Sequence, residues 1–145
     1  MNRRNRVAGG AALKAAQAAD LRRALRTAGA FREHIERELS PAAPASSIPP
    51  FAPATPLPEW PTSRGHAGVV SECLERTRKW IDAFNDPRTG PRSTLSEATN
   101  GTATKLREAW MELGRGVFAD LRDASERWAR SEGAPLEEQT LTRSA

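Results

Sequence analysis

The feature that most constrains this chain is a run of prolines in its first half. Eight of the eleven prolines fall between Pro41 and Pro61. Proline fixes its own φ angle and has no amide hydrogen, so the run excludes both a helix and a central strand. We therefore predict that residues 40–63, which we call the strap, are extended, with a helix before them and a helical region after them.

Large apolar side chains occur within the strap. A linker that only connects two helical regions gains nothing from such residues, because apolar surface is unfavourable in water. We interpret them as anchors on a protein surface, either the chain's own helices or another subunit; the alternative is a plain tether with incidental apolar residues. The candidate anchors are Ile48, Phe51, Leu57 and Trp60.

The sequence before the strap predicts one long helix over residues 7–39. Alanine, the strongest helix former, dominates residues 8–19. Ser40 ends the helix, because a residue that precedes proline avoids the α region. Beyond the alanines, a narrow apolar stripe suited to one partner helix follows helical spacing. It consists of Leu21, Leu25, Ala28, Ile35 and Leu39, with Phe31 beside it.

The region after the strap predicts a second helix from residue 65 or 66 to residue 85. Thr62 or Ser63 can cap its first turn, and Asp86 before Pro87 ends it. Apolar residues recur every three or four positions and form a clear amphipathic stripe, with Trp80 at its flank. The stripe consists of Val70, Cys73, Leu74, Thr77, Ile81 and Phe84.

A third helical stretch is predicted to begin near Thr94, with a short first piece or a break at Asn100, and to end at residues 131–133. Gly114 and Gly116 interrupt its stripe and suit a bend or a close helix crossing. A short turn joins it to the second helix, which predicts an antiparallel hairpin. Two helices cannot enclose both stripes, so a third must come from this chain's first helix or from another subunit.

The predicted fold class is thus all-α, with four regions. A basic N-terminal arm and helix span residues 1–39, the strap spans 40–63, the helical hairpin spans 64–133, and a flexible tail spans 134–145. Mean hydropathy is low, at −0.62, and only about half of the chain can share a core. We therefore expect these helices to complete their burial on a partner; the alternative is a small stable bundle with a floppy tail.

Positive charge is concentrated at the N-terminus. Residues 1–40 carry nine Lys/Arg and four Asp/Glu, or +5, while the whole chain carries +4. This asymmetry predicts contact between residues 1–26 and nucleic acid or another acidic surface. No aromatic residue lies within residues 1–30, so nucleic-acid contact would reach phosphates and not stack on bases. The candidate polyanion-binding residues are Arg3, Arg4, Arg6, Arg22, Arg23 and Arg26.

No pattern of residues points to catalysis, a metal or a cofactor. His34 lies among charged residues and His66 beside a glycine, so we interpret both as solvated surface side chains. Neither has a second ligand at metal spacing. Cys73 is the only cysteine, which excludes an internal disulfide, and its apolar neighbours indicate a buried structural thiol. The sequence therefore predicts a protein that is not an enzyme.

No run of 18 apolar residues is present, so the sequence contains no transmembrane segment. We expect a cytoplasmic location or one within a particle. The alternative is mitochondrial import, because the alanine-rich N-terminus has four basic residues and no acid before Asp20.

These observations favour a non-enzymatic structural or adaptor subunit of a larger macromolecular assembly, whose partners are the other protein subunits. Amphipathic helices and the strap would provide the docking surfaces. The alternative is a nucleic-acid-associated protein that contacts phosphates through its N-terminal arginines. The candidate partner-binding residues are Leu21, Leu25, Phe31, Ile48, Phe51, Leu57, Trp60 and Trp80.

Overall fold

The structure is a computed structural model that describes residues 3–40, 47–59, 66 and 68–132, with side chains from residue 12 to residue 131 of these ranges. These residues form four helices and no strand. The helices are α1 (Arg3–Glu38), α2 (Val69–Asn85), α3 (Pro91–Ser96) and α4 (Asn100–Glu132). The predicted all-α class is confirmed for the part of the chain that the structure describes.

Helices α1 and α2 pack side by side and run in the same direction. Near the start of the contact, Asp20 of α1 meets His66, which lies just before α2. Further along both helices, the ring of Phe31 lies 4.5 Å from Trp80 and 5.1 Å from Phe84, measured between centroids. Later positions in α1 therefore meet later positions in α2, so the chain between them has to return along the bundle.

Helix α4 runs opposite to α2. The guanidinium of Arg76, in the first half of α2, lies 3.7 Å from the carboxylate of Asp120. Phe84, at the end of α2, packs edge-on against Trp110, with 5.7 Å between ring centroids. Rising positions in α2 thus meet falling positions in α4.

Helix α1 packs antiparallel to α4 and closes the bundle. A Cβ added at Gly29 would lie 3.4 Å from the ring of Phe118, and Glu36 pairs with Arg115 at 3.3 Å. The third wall that the two apolar stripes require is therefore supplied by the same chain. The bundle of α1, α2 and α4 is the frame on which the remaining features lie.

The core lies where these three helices meet, and the predicted stripes face it. All six predicted core positions of α1 are buried, as are all six predicted stripe positions of α2. Helix α4 contributes a smaller set, whose largest members are Leu121 and Trp128. Helical periodicity in the sequence was therefore sufficient to identify the inner faces of α1 and α2.

A tight turn joins α2 to α3. Asp86 has an extended backbone before Pro87, which ends α2 at Asn85 as predicted. The amide of Gly90 donates to the Asp86 carbonyl at 2.8 Å. A Cβ at Gly90 would collide with the backbone of Phe84, so glycine is required there.

Three predicted helix starts differ from the structure. Helix α1 begins at Arg3, four residues earlier than predicted. Helix α3 begins at Pro91, three residues before the predicted start near Thr94, because proline suits the first position of a helix. Helix α2 begins at Val69, three or four residues later than predicted, after Gly68 with a φ of 67°, which glycine adopts readily. The predicted break is confirmed, since α3 ends at Ser96 and α4 begins at Asn100. Thr62, Ser63 and the tail, residues 134–145, lie outside the described residues.

Candidate functional site

Residues 47–59 of the strap lie along the groove between α1 and α2. Ile48 is buried in the core. Nε2 of His34 lies 3.2 Å from the Pro49 carbonyl oxygen, and Nη2 of Arg37 lies 3.3 Å from Nδ1 of the same ring. A carbonyl only accepts and a guanidinium only donates, so the contacts assign the hydrogen of this imidazole to Nε2. His34 thus fixes the start of the described strap against the end of α1.

Phe51 is fixed in register by the side chain of Asn85. The Phe51 amide donates to Oδ1 of Asn85, and Nδ2 of Asn85 donates to the Phe51 carbonyl, both at 2.8 Å. One side-chain amide therefore satisfies both backbone groups of a residue that belongs to no helix or sheet. This pairing determines which strap residue lies over the groove.

The Phe51 ring extends an aromatic cluster in the core. Its centroid lies 4.9 Å from that of Phe31, whose other aromatic neighbours are Trp80 and Phe84. Trp110 of α4 joins the cluster through Phe84. Such pairs contribute roughly 0.5–1.5 kcal/mol each beyond the area they bury. The strap and all three long helices therefore meet in one group of rings.

The outer side of the strap faces open depressions. Arg78 donates a hydrogen bond to the Pro58 carbonyl, which holds the far part of the described strap on α2. Beside it, Leu57 and Ile81 line one depression. A second depression, on the α1 side, is lined by strap residues 53–55 together with Arg23 and Arg26. Surfaces on both sides of the strap are thus accessible in the single chain.

A buried polar pair lies where the strap ends. Nε2 of His66 lies 2.5 Å from Oδ2 of Asp20, and the two side chains are 1% and 0% exposed. Arg23 approaches the other carboxylate oxygen at 4.0 Å. A carboxylate in a protein interior needs such partners, because its transfer from water is very unfavourable. The pair therefore joins the residue before α2 to the middle of α1.

The structure corrects the interpretation of both histidines as solvated. His34 and His66 are 8% and 7% exposed, and each contacts a group distant in sequence. The pairing is not visible in the sequence, because 46 residues separate Asp20 from His66. The one available signal was that Asp20 directly precedes the stripe residue Leu21.

Most of the predicted partner-binding residues pack inside this chain. Leu21, Leu25, Phe31, Ile48 and Trp80 are buried in its own core, so a partner can reach them only if the bundle opens. Two others, Phe51 and Leu57, are half-buried at the strap. Trp60 lies outside the described residues.

The structure places only part of the predicted arginine cluster. Arg22 and Arg23 are half-buried on α1, and Arg26 is exposed. The side chains of Arg3, Arg4 and Arg6 lie outside the described residues, although their backbone is helical. Arg23 and Arg26 flank the strap, which brings positive charge next to its open side.

The thiol of Cys73 is buried and stays protonated at neutral pH. Burial first and the neighbouring Glu72 carboxylate second raise the pKa of this thiol to about 12, while Arg76 and Arg127 act in the opposite direction. A protonated thiol is a poor nucleophile. Among the described residues, no group of three or more His, Cys, Asp or Glu side chains could hold a metal ion.

No known protein family, curated protein or solved structure matches this chain. Within the described ranges, no helix combines the length and the apolar character that crossing a bilayer requires. The interpretation of function therefore rests on the surfaces of this molecule.

Proposed function

We propose that this chain is a non-enzymatic structural or adaptor subunit of a larger macromolecular assembly. The observation that carries the proposal is the length of α1. The helix begins at Arg3, whereas its first buried side chain in the described range is Ala18. Among the described side chains that precede Ala18, those of residues 12–15 are exposed and those of Ala16 and Gln17 are half-buried.

The start of α1 extends a helix that the bundle already holds in place. Most helical stability in proteins comes from burying an apolar face, so an uncovered helix end is only weakly stabilised. Residues 12–15 are all exposed, and Leu13 retains 44% of its surface. A partner that covers Leu13 would supply the burial that the described side chains of this segment lack.

The strap supplies a second candidate contact. Its inner side is fixed by Asn85 and His34, so its outer side presents a constant shape. Phe51 and Leu57 keep part of their apolar surface accessible beside the two depressions. A rigid extended segment loses little conformational entropy when a partner covers it.

The docking surfaces that we propose differ from those predicted from the sequence. The apolar stripes on α1 and α2 are buried in the core of this chain, so they stabilise the subunit itself. The remaining candidates are the start of α1, the outer side of the strap and the outer face of α4. A partner would then bind a folded bundle, with no need to complete its core.

The mass of the native particle tests this proposal. The chain, purified from its own cells under native conditions, should sediment in a particle several times heavier than its 15.8 kDa. Leu13→Glu should release it from that particle, because the charge would be buried beneath the partner. Thr89→Glu, with the same charge change in an exposed turn, should leave the particle intact. A free 15.8 kDa chain in the extract would contradict the proposal.

Nucleic-acid association is the second candidate, and the burial of Asp20 favours it. Eight Lys/Arg residues precede Glu33, and Asp20 is the only acid among them. Since its carboxylate is buried against His66, it offers little negative charge to the surface of α1. This leaves a helix whose accessible charge before Glu33 is positive, which suits contact with phosphates.

A salt titration tests the second candidate. Affinity for a short DNA duplex should fall linearly with salt on a double-logarithmic plot, and each phosphate contact should add about 0.9 to the slope. Replacing Arg22, Arg23 and Arg26 by glutamine should flatten the slope by up to about 3. Replacing the exposed Arg88 and Arg92 should leave the slope unchanged. Affinity that does not respond to salt would exclude this mode.

A further inference from the structure

We propose that the outer face of α4 pairs with the same face of a second copy of this chain, with the two helices antiparallel. The inference rests on the proposed function in that it names one partner of the assembly. The surface runs along one side of α4 next to α2, and all its members are exposed. Its residues, at spacings of three or four, are Thr102, Lys105, Ala109, Leu113, Gly116, Asp120 and Asp123.

The first observation is a glycine that the chain's own packing does not require. Gly114 is needed inside the bundle, because a Cβ there would lie 3.2 Å from the Trp80 ring and 3.8 Å from Ile35. Gly116, two residues later, faces outward, and a Cβ there would meet nothing within 4 Å. Glycine inside a helix is destabilising relative to alanine. A neighbouring molecule lying close to this position would account for Gly116.

The second observation is an exposed leucine beside that glycine. Leu113 retains 49% of its surface, and only Leu13 and Leu113 are large hydrophobic residues exposed in the described structure. Ala109 lies one turn away on the same face. A leucine flanked by small residues forms a knob next to a hole, which is the arrangement that close helix pairing uses.

The distribution of charge selects the occupant and its direction. Lys105 lies before Leu113 on this face, whereas Asp120 and Asp123 lie after it. A parallel second copy would place lysine beside lysine and aspartate beside aspartate. An antiparallel second copy places each Lys105 near the aspartates of the other chain. The face is therefore complementary to itself in one direction, as a two-fold interface requires.

The register follows from the shapes. If Leu113 of each copy lies over Gly116 of the other, the residue numbers of any two positions that face each other across the pair add up to 229. Lys105 then lies opposite Ala124, one residue from Asp123 and one helical turn from Asp120. The long lysine side chain can reach either carboxylate. Ala109 lies opposite Asp120, so no bulky side chain separates the two helices on either side of the central leucines.

The oligomeric state of the full chain tests the pairing. Sedimentation equilibrium between about 1 µM and about 500 µM should show a monomer–dimer equilibrium, with a Kd of about 10–100 µM because one helix pair buries less than a standard interface. Leu113→Glu should raise that Kd at least about tenfold. Thr89→Glu is the control, since Thr89 is exposed in the turn before α3 and lies outside this face, and it should leave the Kd unchanged.

Charge reversal tests the direction. Lys105→Glu and Asp123→Lys should each weaken the homodimer by about tenfold, because each change makes two repulsive contacts. The double variant Lys105→Glu/Asp123→Lys should dimerise like the original chain. A mixture of the two single variants should form heterodimers more tightly than either forms homodimers. Asp120 is left unchanged, because it also pairs with Arg76.

Each opposing result overturns the inference. A chain that remains monomeric throughout this range contradicts it, and so does a dimer that tolerates Leu113→Glu. Single variants that do not rescue each other on mixing contradict the antiparallel direction. None of these results decides the proposed function, which depends on the mass of the native particle and on Leu13→Glu. If Leu113→Glu releases the chain from that particle but the chain alone never dimerises, a different protein occupies the face and the inference fails.

Discussion

The interior of the bundle and the outer face of α4 differ in whether contacts within the chain explain the residues found there. Inside, Gly114 makes room for Trp80, Asn85 binds the strap backbone, and Asp20 binds His66. On the outer face, Gly116 has open space in front of it, and Leu113 keeps nearly half of its surface exposed. Contacts within the chain thus explain the residues on the inner face of α4 but not Leu113 and Gly116 on its outer face.

This difference separates the residues that hold the subunit together from those that a partner would use. Substitutions in the interior should lower the free energy of unfolding. Substitutions on the outer surfaces should leave the fold intact and alter association. Four predictions probe the interior and its contrast with the outer face.

The largest effect is expected at the buried pair. Asp20→Ala should lower the free energy of unfolding by about 3 kcal/mol, because the buried Nε2 of His66 would lose the carboxylate that it contacts. Asp20→Asn should cost less, since an amide oxygen can still accept from Nε2. Urea denaturation of both variants measures the difference. Equal stability of Asp20→Ala and the original chain would show that the pair is not buried as described.

The next effect is expected at the strap. Asn85→Ala should lower the free energy of unfolding by about 2 kcal/mol, because two hydrogen bonds to Phe51 are lost and the backbone groups are left partly buried. Asn85→Asp keeps the acceptor but places a carboxylate oxygen against the Phe51 carbonyl oxygen, so it should lose at least as much. Limited proteolysis within residues 47–59 should accelerate in parallel. Proteolysis at an unchanged rate would argue against this attachment of the strap.

The two glycines of α4 should respond with opposite signs. Gly114→Ala should lower the free energy of unfolding by about 1–2 kcal/mol, because the new methyl group would press on Trp80. Gly116→Ala should raise it by up to about 1 kcal/mol, because alanine favours the helix and nothing obstructs it. Thermal unfolding at low micromolar concentration, where the chain is monomeric, separates the two. Loss of stability in both variants would remove the contrast between the faces.

The pH dependence of stability should report the burial of Cys73. Its pKa is raised from 9.0 to about 12 by burial first and by Glu72 second. The thiol's contribution to stability is therefore complete below pH 9 and is lost as the pH rises toward 12, because the unfolded thiol ionises first. At pH 10 the loss should be about 1 kcal/mol. Cys73→Val should lack this component, and an identical pH profile would contradict it.

The sequence was sufficient for features with helical periodicity. The stripes of α1 and α2 fixed their inner faces, and Pro87 fixed the end of α2. The short α3 was harder, because Pro91 can either sit in a turn or open a helix. The close approach of Gly90 to the Phe84 backbone favours a helix that begins at Pro91, but this contact cannot be read from the sequence.

The contacts of the candidate site were largely beyond sequence reasoning. Asp20 and His66, or Phe51 and Asn85, meet only because α1 and α2 are parallel and the strap returns between them. No local pattern specifies such pairs. For the same reason, Trp80 was predicted to contact a partner. No residue near it in sequence indicates that Gly114 leaves room for its ring.

Hydrogen–deuterium exchange on the isolated chain and on the native particle tests the central claim most directly. We predict that amides of residues 3–17 exchange rapidly in the isolated chain and become protected in the particle. Amides in the buried parts of α2 and α4 should be protected in both. Equal protection of residues 3–17 in an isolated monomer would contradict the claim that a partner covers the start of α1.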